Sequence, residues 1–220
     1  MTAEKRSRTR TRAPARRVRE PDARETKKIR LFVAVRVPEP QLALLKASSA
    51  TLRGAVADAR WTSPENQHLT LKFLGSTPED LLEPIGAALD DVAGEVAPEK
   101  ITLSSLGAFP SRRRARVLWA GVEDPSDLLS RLAGELDDAL KPHGFEPEKR
   151  KFTPHLTLAR LRTPADVSEA LRAAPADADF SPFLVDSIDL FSSKLSPYGA
   201  RYEVLNTFLL RGPTPKEGSE

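Results

Sequence analysis

The chain of 220 residues contains no cysteine. Disulfides and thiolate metal sites are therefore excluded, and a reducing, cytoplasmic location is expected. No apolar run is long enough to span a bilayer, so no membrane partner is expected. The first residues also lack the hydrophobic stretch of a secretory signal. A basic N-terminus raises the question of an organellar transit peptide, but such segments are poor in acids, and this one carries Glu4, Glu20, Asp22 and Glu25. Histidine is scarce at three residues, and the usual multi-ligand metal spacings do not occur. Neither a metal nor a cofactor is expected.

Charge of one sign is missing from most of the chain. The net charge is +3. Residues 1–28 carry 11 Lys/Arg against 4 Asp/Glu, a net of +7, which leaves −4 for residues 29–220. With almost nothing apolar to bury, residues 1–28 read as a disordered basic tail, a solvated extension in preference to a specific binding arm; any contact with nucleic acid is expected to be non-specific, through phosphate charge and with strong salt dependence. A folded region is expected over 29–210, followed by a flexible tail at 211–220.

The folded region alternates strand and helix patterns. IRLFVAVRV (29–37) reads as a buried strand, and the following segment, opened by prolines, as a helix. HLTLKFL (68–74) alternates as a strand. Thr77-Pro78-Glu79-Asp80 has the composition of a helix start, with a helix to about Glu95, and 100–106 reads as a strand. The order then recurs: a strand at 116–122, a helix from Asp124-Pro125 to about Lys141, and a strand at 151–160. A second Thr-Pro-x-Asp start follows at Thr163, then strands at 183–191 and 201–210. His68 and His155 are 87 residues apart, and Thr77 and Thr163 are 86 apart. That common offset indicates an internal repeat, about 29–107 and 116–210.

The two copies both contain His-Leu-Thr-Leu. In a strand, alternate side chains face opposite sides, so His68, Thr70 and Lys72 are expected on one face and Leu69, Leu71 and Phe73 on the other. His155 and Thr157 are likewise expected to share a face, with Arg160 turned away from them. Two imidazoles that titrate near neutrality can act as a base and an acid on one substrate. Two threonine hydroxyls can donate to phosphate oxygens and stabilise developing charge. His143, in KPHGF, reads as a helix-terminus residue with Gly144 as the stop.

RLFVAV, RWTSPENQHLTLKFLG (60–75), LGAFPSRRRARVLWAGV (106–122), KFTPHLTLAR (151–160) and LFSSKLSPYGARYEVL (190–205) resemble the RNA 2′,3′-cyclic phosphodiesterases. These belong to the two-histidine phosphoesterase superfamily and were once described as RNA 2′-5′ ligases. The resemblance covers about residues 29–210. It implies an α+β fold of two pseudo-symmetric lobes, each an antiparallel sheet with outer helices, around a central cleft. It implies metal-independent hydrolysis of an RNA-terminal 2′,3′-cyclic phosphate to a 2′-phosphomonoester. His68 would be the proton donor, His155 the proton acceptor, and Thr70 and Thr157 the phosphate contacts. Lys72, Arg160, Phe32 and Trp61 are further substrate-binding candidates; for both aromatic residues core packing is the competing reading. Arg112, Arg113, Arg114 and Arg116 form a basic cluster that either guides an RNA end or is a solvated loop. The expected partners are RNA ends or nucleoside 2′,3′-cyclic phosphates, and the expected state is a monomer. Two alternatives remain: a non-catalytic RNA-end binding module, and the same site acting on 2′-5′ linkages or small cyclic nucleotide phosphates.

Overall fold

A computed structural model of the chain describes residues 27–56, 58–174, 180–196 and 199–213. Most of the expected basic tail and residues 214–220 lie outside the described residues. At both borders the described strands and contacts extend further than the hydrophobic pattern suggests. The Lys27 carbonyl accepts the Glu79 N–H at 2.9 Å, and the Lys27 ammonium meets the Glu79 carboxylate at 2.8 Å. The N–H groups of Arg211 and Gly212 donate to Ala93 and Val96 at 2.8 and 3.0 Å.

In chain order the elements are β1 (Lys28–Arg36), α1 (Glu39–Ser48), α2 (Ala50–Ala55), β2 (Ala59–Trp61), β3 (His68–Pro78), α3 (Leu82–Glu95) and β4 (Glu99–Phe109). Then come β5 (Ala115–Glu123), α4 (Leu128–Leu140), β6 (His155–Ala165), α5 (Ser168–Ala173), β7 (Phe183–Val185), β8 (Ser187–Ser196) and β9 (Gly199–Leu209). Among the described residues the strands form one nine-stranded sheet, ordered β7-β4-β5-β6-β3-β1-β8-β9, with β2 beside β6. Every pairing is antiparallel. The fold is thus α+β, as expected, but the two expected sheets are one. The two motif strands, β3 and β6, meet through a single residue pair, Leu69 opposite Leu156, and β2 pairs with β6 beside it. Outward from that seam the order is β6-β5-β4 on one side and β3-β1-β8 on the other. β4, from the first expected repeat, and β8, from the second, therefore each pair within the opposite block.

The leucine face of the sheet and the helices share one core that includes Leu69, Leu71, Leu156 and Leu158. In α4 the buried residues Leu128, Leu129, Leu132, Leu136 and Leu140 recur at helical spacing. Asp124 starts this helix as its sequence suggests: its two carboxylate oxygens accept the N–H groups of Leu128 and Leu129 at 2.9 and 2.8 Å. The two Thr-Pro pairs behave differently from expectation. Thr77 and Pro78 end β3, paired with Ile29 and Lys28, and Pro164 lies inside β6. A residue before proline is biased towards extended backbone, and here an adjacent strand satisfies that bias. The helices start only at Leu82 and Ser168.

Candidate active site

The seam sets the relation between the two motifs. With Leu69 opposite Leu156, the antiparallel register runs His68 towards Thr157 and Thr70 towards His155. Leu69 and Leu156 are buried in the core, so the pleat sends both His-Thr pairs to the other face of the sheet. In a regular antiparallel pair His68 and His155 would occupy diagonal positions, roughly 7–8 Å apart. Both histidines and both threonines are half-buried. Neither threonine hydroxyl is engaged by another group among the described residues, so both are free to donate to a ligand.

Simple alternation fails one residue past each motif. Val33 pairs with Lys72 while Ala34 pairs with Thr70, so Leu71 is an extra residue in β3. Leu118 pairs with Ala159 while Trp119 pairs with Thr157, so Leu158 is the corresponding extra residue in β6. A β-bulge of this kind reverses the faces beyond it. Lys72, expected beside His68, instead turns into the helix-covered side. It is 7% exposed, ion-pairs with Asp137 of α4 and donates to the Glu146 carbonyl at 3.1 Å. Its ammonium is committed to the scaffold. Arg160, expected to face away from His155, is carried onto the face of His155 and Thr157. It is exposed, has no ion-pair partner among the described residues, and lies opposite Arg60 of β2. Phe73 occupies the equivalent place after the first motif, and it too is on the site face rather than in the core.

The two imidazoles sit in unlike surroundings. Each is anchored to the backbone two residues earlier: Nδ1 of His155 is 2.8 Å from the Thr153 carbonyl, and His68 is hydrogen-bonded to the backbone of Asn66. His68 is stacked on Phe32 with centroids 4.8 Å apart, lies 5.7 Å from Phe191 and meets the Tyr202 ring edge-on at 5.3 Å. Burial in this aromatic enclosure pushes its pKa from 6.5 down to about 4, against a smaller upward pull from the Asn66 backbone. Among the described residues His155 has one aromatic neighbour, Phe109, edge-on at 5.1 Å.

Of the two expected stacking residues, Phe32 is enclosed and Trp61 is half-buried. Phe32 is 3% exposed, clamped between Phe191 at 4.9 Å and His68; it is a wall of the imidazole's enclosure. Trp61 packs against the main core, with the Arg53 guanidinium 4.2 Å above its ring. Several residues on this face were not singled out from the sequence. Trp119 lies opposite Thr157, with Phe109 5.0 Å away. Its indole fills the space over Gly107, where a Cβ would fall 2.2 Å from Cζ2. The alternation of Val117 and Trp119 with buried Leu118 and Ala120 was the available signal. Arg36 lies opposite His68, with Nε 2.7 Å and Nη2 3.3 Å from the carboxylate of buried Asp189. Thr207 donates to the same carboxylate. Arg112–Arg114 form a short 3₁₀ turn that is exposed at the β4–β5 connection. His143 ends a similar turn after α4, and Gly144 follows with φ of 87°, the left-handed stop expected of it.

Comparison with known proteins points in one direction. The model of the 2′-5′ RNA ligase superfamily matches residues 28–196. The chain is 34% identical over 185 residues to an RNA 2′,3′-cyclic phosphodiesterase of Methanothermobacter thermautotrophicus, covering 83% of this chain and 100% of that one. It is 35% identical over 179 residues to an RNA 2′,3′-cyclic phosphodiesterase of Thermotoga maritima, covering 80% and 93%. A crystal structure from Thermus thermophilus superposes with a TM-score of 0.69 at 32% identity, covering 84% and 100%. Apo LigT of Escherichia coli shares the fold, with a TM-score of 0.62 at 24% identity over 83% and 98%. Among the described residues no helix is long and apolar enough to cross a membrane.

Proposed function

The chain belongs to the 2′-5′ RNA ligase superfamily, and from that premise we propose that it hydrolyses RNA-terminal 2′,3′-cyclic phosphates to 2′-phosphomonoesters with two histidines as acid and base. The observation that carries this reading is the pairing of Leu69 with Leu156, which turns both His-Thr pairs to one face at one seam. The mirrored strand order about that seam supports two pseudo-symmetric halves descended from one repeated unit, with the site between them.

His155 takes a proton from a water as the water oxygen bonds to phosphorus. The P–O3′ bond breaks, and His68 delivers a proton to O3′, leaving a free 3′-hydroxyl and a 2′-phosphate. Thr70 and Thr157 donate to the non-bridging oxygens, where charge builds in the transition state. Arg160 and Arg60 lie opposite each other, and like charges so placed repel. A phosphate near them relieves that repulsion, which gives Arg160 a role in holding the anion.

The depressed pKa of His68 bears on its role as donor. With a pKa of about 4 in the unliganded protein, this imidazole is neutral at pH 7. A phosphate monoanion about 4 Å away in a partly buried site stabilises the imidazolium by about 4 kcal/mol, equivalent to about three pH units. Substrate binding thereby charges the acid that the reaction needs.

The test is to incubate the protein in excess EDTA with a short RNA ending in a 2′,3′-cyclic phosphate, beside His68→Ala and His155→Ala, and to identify the phosphomonoester. The reading predicts a 2′-phosphate, lost in both variants. Tight binding without product in all three proteins would replace it with an RNA-end binding module.

A further inference from the structure

Arg36 is a cation on the site face that the proposed chemistry leaves unused. It lies opposite His68, as Ala34 lies opposite Thr70, and Asp189 of β8 lies opposite Ala34. The buried Asp189 carboxylate accepts from Nε and Nη2 of Arg36 at 2.7 and 3.3 Å and from the Thr207 hydroxyl. A carboxylate that grips two nitrogens of a planar fork fixes its orientation. This grip uses one edge of the guanidinium. The Arg36 side chain is still 58% exposed, and its Nη1 has no hydrogen-bond partner among the described residues. A guanidinium is therefore held in place beside His68 with donors left for a ligand.

The direction of the displacement identifies that ligand. The attacking and leaving oxygens lie roughly in line through phosphorus. With the water at His155 and O3′ at His68, the ribose lies on the His68 side of the seam. The next phosphodiester, on its 5′ carbon, can then fall over β1, which is the strand beyond β3 from the seam. At about 4.8 Å per strand, β1 is about 7 Å from the seam, a distance comparable to one sugar–phosphate repeat. Resting on the proposed activity, we propose that Arg36 holds the 5′-phosphate of the terminal nucleotide, the diester that joins it to the rest of the RNA. This contact makes an RNA end a better ligand than a free nucleoside 2′,3′-cyclic phosphate, which has only a hydroxyl at that position.

Calorimetry tests this with two probes: adenosine 2′-phosphate, which has a 5′-hydroxyl, and adenosine 2′,5′-bisphosphate, which adds the second phosphate. Removing Arg36 alone would leave Asp189 buried and unpaired. The variants are therefore Arg36→Met combined with Asp189→Asn, and Arg36→Lys, which keeps a cation for Asp189 but has no second edge to offer. Thermal melts establish that both fold. The contact predicts that the wild type binds the bisphosphate about tenfold more tightly than the monophosphate. Both variants should weaken the bisphosphate about tenfold, the value of a hydrogen bond to a charged group, and the monophosphate less than twofold. Equal weakening of both probes, no weakening of either, or a wild type indifferent to the second phosphate overturns it. Turnover of the cyclic-phosphate RNA by the wild type is measured in parallel and reports on the activity alone. An Arg36-dependent preference for the bisphosphate without turnover defeats the activity but not the contact, and turnover with binding indifferent to the 5′-phosphate does the reverse.

Discussion

The strands that begin at His68 and His155 share their first four residues, their seam and the position of their bulge, yet they build unlike surroundings. On β3 the imidazole is enclosed by Phe32, Phe191 and Tyr202, and the residue beyond the bulge is phenylalanine. On β6 the imidazole meets a single ring edge among the described residues, and the residue beyond the bulge is arginine. A repeated backbone thus fixes where the groups stand. The neighbouring strands, β1, β8 and β9 against β5 and β4, decide what surrounds each imidazole. One half lowers a pKa; the other presents charge.

The largest effects should break the symmetry by removing either imidazole. His68→Ala and His155→Ala should each lower kcat for cyclic-phosphate hydrolysis by about 10²–10⁴-fold, measured by single-turnover product formation. Thr70→Val and Thr157→Val should each cost about 10–100-fold in kcat/KM, the value of a hydrogen bond to a charged group; equal losses would show that both halves grip the phosphate.

Lys72 and Arg160 sharpen the contrast between the two sides of the bulge. Arg160→Met should raise KM by roughly tenfold and leave the Tm unchanged. Lys72→Met should lower the Tm through an unpaired Asp137 and leave the kcat/KM of the folded protein within about twofold.

The pH dependence of stability isolates the enclosure on the β3 side. His68 titrates near 4 when folded and near 6.5 when unfolded, so the unfolded chain binds more protons between those values. The associated stability, about 3 kcal/mol, is therefore complete above pH 6.5 and lost as pH falls towards 4. Urea midpoints should show that loss in the wild type and not in His68→Gln.

Much of this was legible in the residues. The repeated His-Leu-Thr-Leu, the buried leucines and most strand positions follow from composition and period; β2, the later start of β6 at His155 and the break between β7 and β8 do not. The bulges were not, because Leu-Lys-Phe after the first motif and Leu-Ala-Arg after the second are compatible with continued alternation; only pairing with β1 and β5 reveals Leu71 and Leu158 as extra. That single-residue slip misplaced Lys72, Phe73 and Arg160 together. The Thr-Pro pairs misled because helix starts and strand ends both favour an extended residue before proline. The seam was invisible too, since Leu69 and Leu156 are separated by a full repeat, and nothing local marks them as partners. Phe32 stayed a candidate for ligand stacking beside the core-packing reading because the sequence cannot show that His68 already covers it.

The central claim is that the two motifs form one catalytic site. The most direct test is a mutant cycle of His68→Ala, His155→Ala and the double variant, read by hydrolysis of a 2′,3′-cyclic phosphate RNA. Residues that act as a unit are strongly non-additive. The account therefore predicts that the double variant is about as slow as either single one. A double variant slower by the product of the two single losses would contradict it, showing that the histidines act independently.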